Sequence, residues 1–163
     1  MDRRLIIMRH AQSAAGSLAT ADHDRALTDK GKKEATDVAD QLVQLGWTPQ
    51  LVLSSDARRT RETLEKMAPL FPSDLPVEFD EDLYLGGVAA IQNALFTVDK
   101  EITDVLVLAH NPGCQNAIIY FSGQAERMSP ANAALLHCTS DDWSEAAQSG
   151  NFSFVQVLRP QSP

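Results

Sequence analysis

The sequence predicts an α/β domain: a three-layer sandwich with a mostly parallel central sheet, helices on both faces and an antiparallel edge strand. Three observations carry that expectation. Short apolar runs at residues 5–8, 51–53 and 105–109 lack polar alternation, as strands buried on both faces require. Helical periodicities separate them, and strands alternating with helices build right-handed βαβ units. Near the end, Phe-Ser-Phe-Val-Gln-Val within residues 152–158 alternates in the manner of a half-exposed edge.

The elements follow in order. After the first strand, Leu27-Thr28-Asp29-Lys30-Gly31 introduces a helix with Thr28 as its N-cap. Its apolar positions Ala35, Val38, Ala39, Leu42 and Leu45 keep helical spacing, and Gly46 ends it. A second helix is expected over residues 57–68, capped by Ser55 or Asp56 and stopped by Pro69. Pro72, Pro76 and the run Asp80-Glu81-Asp82 bracket a short strand at 77–79. Helices are expected at 88–97 and 115–121, and strands at 133–138 and 152–158. With no repeat, low-complexity tract or linker, residues 1–163 read as one domain.

Composition narrows the function. The chain has 163 residues, 44% hydrophobic and 22% charged, as a soluble globular domain does. No apolar stretch reaches the ~20 residues that span a bilayer, so no membrane association is expected. The first apolar run is too short for a signal-peptide core. Cys114 and Cys138 form no spacing motif and read as reduced thiols of a cytoplasmic protein. A net charge of −8 opposes binding of nucleic acid, whose phosphates demand a basic face. Oligomeric state leaves no mark.

The chemistry lies at strand ends. Leu5-Ile6-Ile7 runs into Met8-Arg9-His10, and Val105-Leu106-Val107 into Leu108-Ala109-His110, followed by Asn111-Pro112-Gly113. Carboxyl ends of strands are where open α/β sheets bind ligands. Arg9 offers a fork of donors suited to phosphate oxygens and repels a metal ion. Ser55, Arg59 and Thr63 are spaced by four and share one helix face. An arginine in a first turn opposes the helix dipole, a cost that a bound anion offsets. Both histidines are therefore expected to converge on a phosphate.

Four ordered blocks resemble the histidine phosphatase superfamily, its phosphoglycerate-mutase-like branch, and within it the small SixA-type phosphohistidine phosphatases. They are Ile7-Met8-Arg9-His10-Ala11, Arg25-Ala26-Leu27-Thr28-Asp29-Lys30-Gly31, the segment from Ser55 to Thr63, and Val107-Leu108-Ala109-His110-Asn111-Pro112. The resemblance implies His10 as a nucleophile that becomes phosphorylated, with Arg9, Arg59 and His110 around the transferred phosphoryl group. It implies Arg25 at the rim, Ser55 and Asn111 as further substrate-binding residues, and neither cofactor nor metal. Glu81 and Asp82 are the nearest candidates for a general acid. The chain departs from the family's commoner residues at Ala11 (glycine), Asp56 (proline) and Glu62 (glutamine).

The implied reaction is phosphoryl removal through a phosphohistidine intermediate, with neutral His10 attacking phosphorus. About twenty residues separate Thr63 from Leu83-Tyr84-Leu85-Gly86-Gly87, too few for a large cap. An open pocket suits phosphohistidine in a signalling protein. The alternatives are a small-molecule phosphomonoesterase for sugar or nucleotide phosphates and a noncatalytic phosphate-binding module. Accordingly, the expected partner is a phosphorylated protein or a small phosphorylated substrate.

Other conspicuous residues read as structural. His23 is expected in a solvated loop, His137 satisfied within a sheet, and Cys114 as a buried thiol starting a helix. Asp141-Asp142-Trp143-Ser144-Glu145 reads as a surface turn or short helix, and Gly86-Gly87 as a turn.

Overall fold

Strand β1 (Asp2–Arg9) carries the apolar run Leu5 to Met8, fully buried on both faces. It lies fourth in a six-stranded sheet formed with β2 (Leu51–Ser54), β3 (Val77–Phe79), β4 (Asp104–Ala109), β5 (Ala133–Thr139) and β6 (Ser153–Leu158). The strand order is β3-β2-β4-β1-β5-β6. The computed structural model describes residues 1–161.

Strands β3, β2, β4 and β1 are parallel, as continuous apolar runs predict. Strand β5 pairs antiparallel with β1, and the edge strand β6 antiparallel with β5. The β1–β4 register sets Arg9 opposite Ala109, and the His10 amide donates to the Ala109 carbonyl at 3.1 Å. His10 and His110 therefore leave the same edge of the sheet together.

The helices form the outer layers. α1 (Asp29–Gln44) and α2 (Arg58–Met67) cover one face, where Val38, Leu42, Leu64 and Met67 join Ile6, Met8, Leu106 and Leu108. α4 (Gly87–Phe96) and α5 (Gly113–Ser122) cover the other, where Ile91, Leu95, Ile118 and Phe121 join Leu5, Ile7, Val105 and Val107. Two short helices, α3 (Asp82–Leu85) and α6 (Trp143–Ala146), complete the chain.

Local chemistry sets the start of α1. Thr28 caps it by accepting the Gly31 amide at 3.0 Å, and the Thr28 amide donates to the Gln12 carbonyl. A Cβ on Gly31 would lie 2.1 Å from that carbonyl oxygen, so only glycine lets α1 approach the segment after His10.

Helix α2 starts differently from expectation. Its N-cap is Ala57, without a side-chain cap. The two expected caps are used elsewhere: Ser55 Oγ accepts the Ala57 amide and meets His110, while Asp56 pairs with His23. The run at 141–145 supplies the Asp142 N-cap and most of α6 but is not all surface. Trp143 is buried, and its indole N–H donates to the Ile102 carbonyl. Above it lies Arg3, also fully buried, whose guanidinium donates to Ser140 Oγ and to the carbonyls of Lys100, Ile102 and Asp141. His137 lies in β5 as expected, half-exposed and 3.4 Å from Asp2.

Thr63 ties α2 to the residue after His10. Its buried hydroxyl accepts the Ala11 amide at 3.0 Å and donates to the Arg59 carbonyl at 2.6 Å. Thr63→Val keeps the shape and strands the Ala11 donor, so urea unfolding is expected to show a loss of about 1–3 kcal/mol. An unchanged midpoint would mean that this hydroxyl does not hold the two elements together.

Candidate active site

The carboxyl ends of β1, β2 and β4 deliver His10, Ser55 and His110 to one place, and the first turn of α2 adds Arg59. The imidazoles of His10 and His110 lie 5.2 Å apart between centroids, tilted by 49°. His10 Nδ1 sits 2.7 Å from the Ala11 carbonyl oxygen. A carbonyl only accepts, so this contact assigns the proton to Nδ1 and leaves the Nε2 lone pair free.

His110 Nε2 lies 2.8 Å from Ser55 Oγ. That oxygen already accepts the Ala57 amide, so its hydroxyl hydrogen is available to Nε2, an arrangement that leaves the proton on His110 Nδ1. His110 Nδ1 is buried without a partner.

Arg9 and Arg59 have the same unfinished character. Arg9 Nη1 donates to the Met128 carbonyl at 3.1 Å, and its Nε is buried and unpaired. Arg59, almost wholly buried, has an equally unpaired Nε. Buried donors are nearly always satisfied, so orphans grouped beside two imidazoles mark a place for an acceptor-rich ligand. Arg58, the neighbouring arginine, faces solvent and pairs with Glu62, which also takes the Leu27 amide.

Electrostatics keep both imidazoles neutral. Burial lowers His10 to about 4 against the opposing pull of the Ala11 carbonyl, with Arg59, Arg9 and Arg25 adding to the depression. Burial, then His10 and Arg59, lower His110 to about 3. Cys114 Sγ contacts the Met8 carbonyl, and burial pushes its thiol up to about 12, so it stays protonated.

Asp22, in a 3-10 turn spanning Asp22–Asp24, and Tyr84, in α3, belong to the site without having been foreseen. Arg59 Nη1 donates to the Asp22 carbonyl at 2.8 Å and Nη2 to its Oδ2 at 3.2 Å. Arg25 Nε lies 3.1 Å from Asp22 Oδ1, and the Tyr84 hydroxyl donates to Oδ2. This hydroxyl, then Arg59 and Arg25, outweigh burial and hold the Asp22 carboxyl below its ordinary range. The Tyr84 ring stands edge-on to His110 at 5.3 Å, with the Arg59 guanidinium over it. The i,i+3 spacing of Asp22 and Arg25 was the available sequence signal; Tyr84 had none, because only the fold brings α3 to His110.

The other expected residues divide. Arg25 reaches the pocket mouth through Asp22. Asn111 Nδ2 donates to Gln115 Oε1 and the Met128 carbonyl, leaving Oδ1 buried and unpaired in a groove lined by Tyr84, His110 and Pro112. Ser55 is fully enclosed and faces His110. Glu81 and Asp82 are not brought to the histidines. Both are exposed, and Asp82 lines a separate cleft with Glu78, Asp80 and Asn93, because α3 turns Tyr84 towards the pocket instead. His23 is not free in solvent: Nε2 meets Asp56 Oδ1 at 2.9 Å, and its ring packs edge-on against Tyr84.

Two neutral imidazoles ringed by guanidinium groups, at the carboxyl edge of a parallel sheet, define a pocket for a tetrahedral oxyanion in an α/β protein. Comparison with known proteins gives the class. Residues 5–84 match the model of the histidine phosphatase superfamily (branch 1). An uncharacterized chloroplastic protein of Arabidopsis thaliana is 38% identical over 99% of this chain and 80% of its own length. A Nakamurella multipartitia structure bearing the SixA phosphohistidine phosphatase name superimposes with a TM-score of 0.85, at 26% identity over 99% of this chain and 98% of that one. The protein histidine phosphatase SixA complexed with tungstate gives 0.81 at 25% identity, over 96% and 97%. The chain belongs to the histidine phosphatase superfamily, as a SixA-type phosphatase with a histidine nucleophile.

The depressed histidines fix the sign of a pH effect. Their folded-state values lie below the ordinary 6.5, so the unfolded chain binds more protons as pH falls. Their contribution to stability is complete above about 6.5 and shrinks as pH falls towards about 4 for His10 and about 3 for His110. Urea midpoints should decline through that window, and His10→Asn should flatten the decline. A profile that His10→Asn leaves unaltered would contradict the depression.

Proposed function

We propose that the protein removes phosphoryl groups from phosphohistidine in a partner protein, with His10 as the residue that is transiently phosphorylated. The observation that carries the chemistry is the free Nε2 of neutral His10, set beside orphaned donors of Arg9, Arg59 and His110. In the first step, Nε2 forms a bond to phosphorus as the bond to the leaving group breaks. In the second, water attacks phosphorus, the N–P bond breaks, and inorganic phosphate departs. Covalent catalysis divides the displacement into two easier steps. Positioning and charge stabilisation do the remainder, because negative charge spreads over the equatorial oxygens.

Each side chain takes a part. Arg9 and Arg59 neutralise the oxygens, His110 donates from Nδ1, and Ser55 holds that tautomer through Nε2. Arg25 and Asn111 face the rim. The tungstate held by the SixA relative is a tetrahedral oxyanion like phosphate, which supports this use of the pocket.

The substrate preference follows from proton chemistry. The carboxylate nearest the pocket, Asp22, is held ionised by Tyr84 and two arginines, which suits no acid role. An alkoxide needs a proton to depart, whereas an imidazole of phosphohistidine leaves readily. The pocket also lacks a large covering insertion between Thr63 and Leu83, which favours a phosphoryl group displayed on a protein. Both cysteines are free thiols, in keeping with a reducing compartment such as the cytoplasm.

Two measurements test this reading. His10→Ala should lower turnover by about 10³-fold or more and abolish an acid-labile, alkali-stable phosphoenzyme; Arg59→Ala should cost about 10²–10³-fold in kcat/KM. Turnover that survives His10→Ala would end the covalent mechanism. A phosphorylated histidine-containing carrier domain should exceed every sugar or nucleotide phosphate in kcat/KM. The reverse ranking would make the protein a small-molecule phosphomonoesterase, and no turnover of any would make it a binding module.

A further inference from the structure

Both terminal nitrogens of Arg59 are already engaged, Nη1 by the Asp22 carbonyl and Nη2 by its carboxylate. The same carboxylate is flanked by Arg25 and receives the Tyr84 hydroxyl. The pocket arginine thus faces an anion belonging to the chain itself. Arg9, Arg25 and Arg59 bring three positive charges to His10, both imidazoles are neutral, and Asp22 subtracts one. What remains matches one phosphate dianion. A further negative charge on the substrate finds no compensation from these groups.

From this arrangement we propose that Asp22 is a specificity-determining residue: it competes with phosphate for Arg59 and rejects phosphoryl donors carrying a second anionic group near phosphorus. The inference rests on the phosphate pocket of the proposed function and extends it to substrate class. Accepted donors have a neutral or cationic leaving side, as a protein-borne imidazole does. Phosphorylated carboxylic acids and polyphosphates are disfavoured. The same competition keeps product phosphate weakly held, because each departing dianion returns Arg59 to Asp22. Asp22 lies on an exposed turn outside the core, so its charge can be removed without opening a cavity.

The test compares binding of inorganic phosphate, methylphosphonate and phosphonoacetate by calorimetry, which does not depend on turnover. The last two differ by one carboxylate. Wild type should bind methylphosphonate more tightly than phosphonoacetate. Asp22→Asn should tighten inorganic phosphate by about two- to fivefold and narrow the gap between the two phosphonates by a similar factor, the range expected of one partly exposed ion pair. Asp22→Glu, which keeps the charge, should keep the gap. Weaker phosphate binding in Asp22→Asn would show that the carboxylate merely positions Arg59 and would overturn the proposal, as would an unchanged gap. Absence of phosphate binding by wild type would instead fail the phosphate pocket itself.

Discussion

Everything in the molecule depends on the parallel pairing of β1 with β4 in one register. Arg9 faces Ala109 across that pair, so the chain leaves both strands at the same level and His10 and His110 emerge side by side. A one-residue slip would turn every side chain of β1 to the opposite face. It would take Arg9 and the His10 imidazole away from the pocket. The register is held by continuous apolar burial on both faces, and at the opposite end by Arg3, whose guanidinium gathers carbonyls from the approaches to β4 and α6. Thr63 and Gly31 then bring α2 and α1 against the segment following His10. The pocket is thus a consequence of core packing.

Its electrostatics follow from the same burial. An acidic chain carries a cationic pocket because three of its guanidinium groups, those of Arg9, Arg25 and Arg59, are gathered at one edge of the sheet. Burial that would penalise a charged imidazole keeps His10 unprotonated at neutral pH, as the proposed nucleophile must be, and the arginines add to the effect. The arginine in the first turn of α2, unfavourable to the helix by itself, has its reason here. The local cost in helix stability is the signature of a site.

Much of this was legible in the sequence. Continuous apolar runs located β1, β2 and β4, the flanking prolines and acidic cluster bracketed β3, alternation marked β6, and the Thr28–Gly31 start of α1 was readable from capping chemistry. Arg9, His10, Arg59 and His110 lie in contiguous motifs, where residue type and strand-end position coincide. What escaped depended on contacts between distant segments. Asp22 and Tyr84 meet across 62 positions of chain, and no local pattern announces such a meeting. Ser55 and Asp56 had the right chemistry for capping α2, yet stronger tertiary partners, His110 and His23, claimed their side chains. Glu81 and Asp82 were plausible by charge alone, but one turn of α3 puts the aromatic ring rather than a carboxylate towards His110. Arg3, unremarkable beside the N-terminus, became a buried anchor because α6 folds Trp143 beneath it.

A crystal structure with orthovanadate tests the central claim most directly, because vanadate takes the five-coordinate geometry of a phosphoryl group in transfer. The account predicts vanadium in line with His10 Nε2, its equatorial oxygens reached by Arg9, Arg59 and His110 Nδ1. Vanadate bound away from Nε2, or a pocket that stays empty at saturating vanadate, would contradict it.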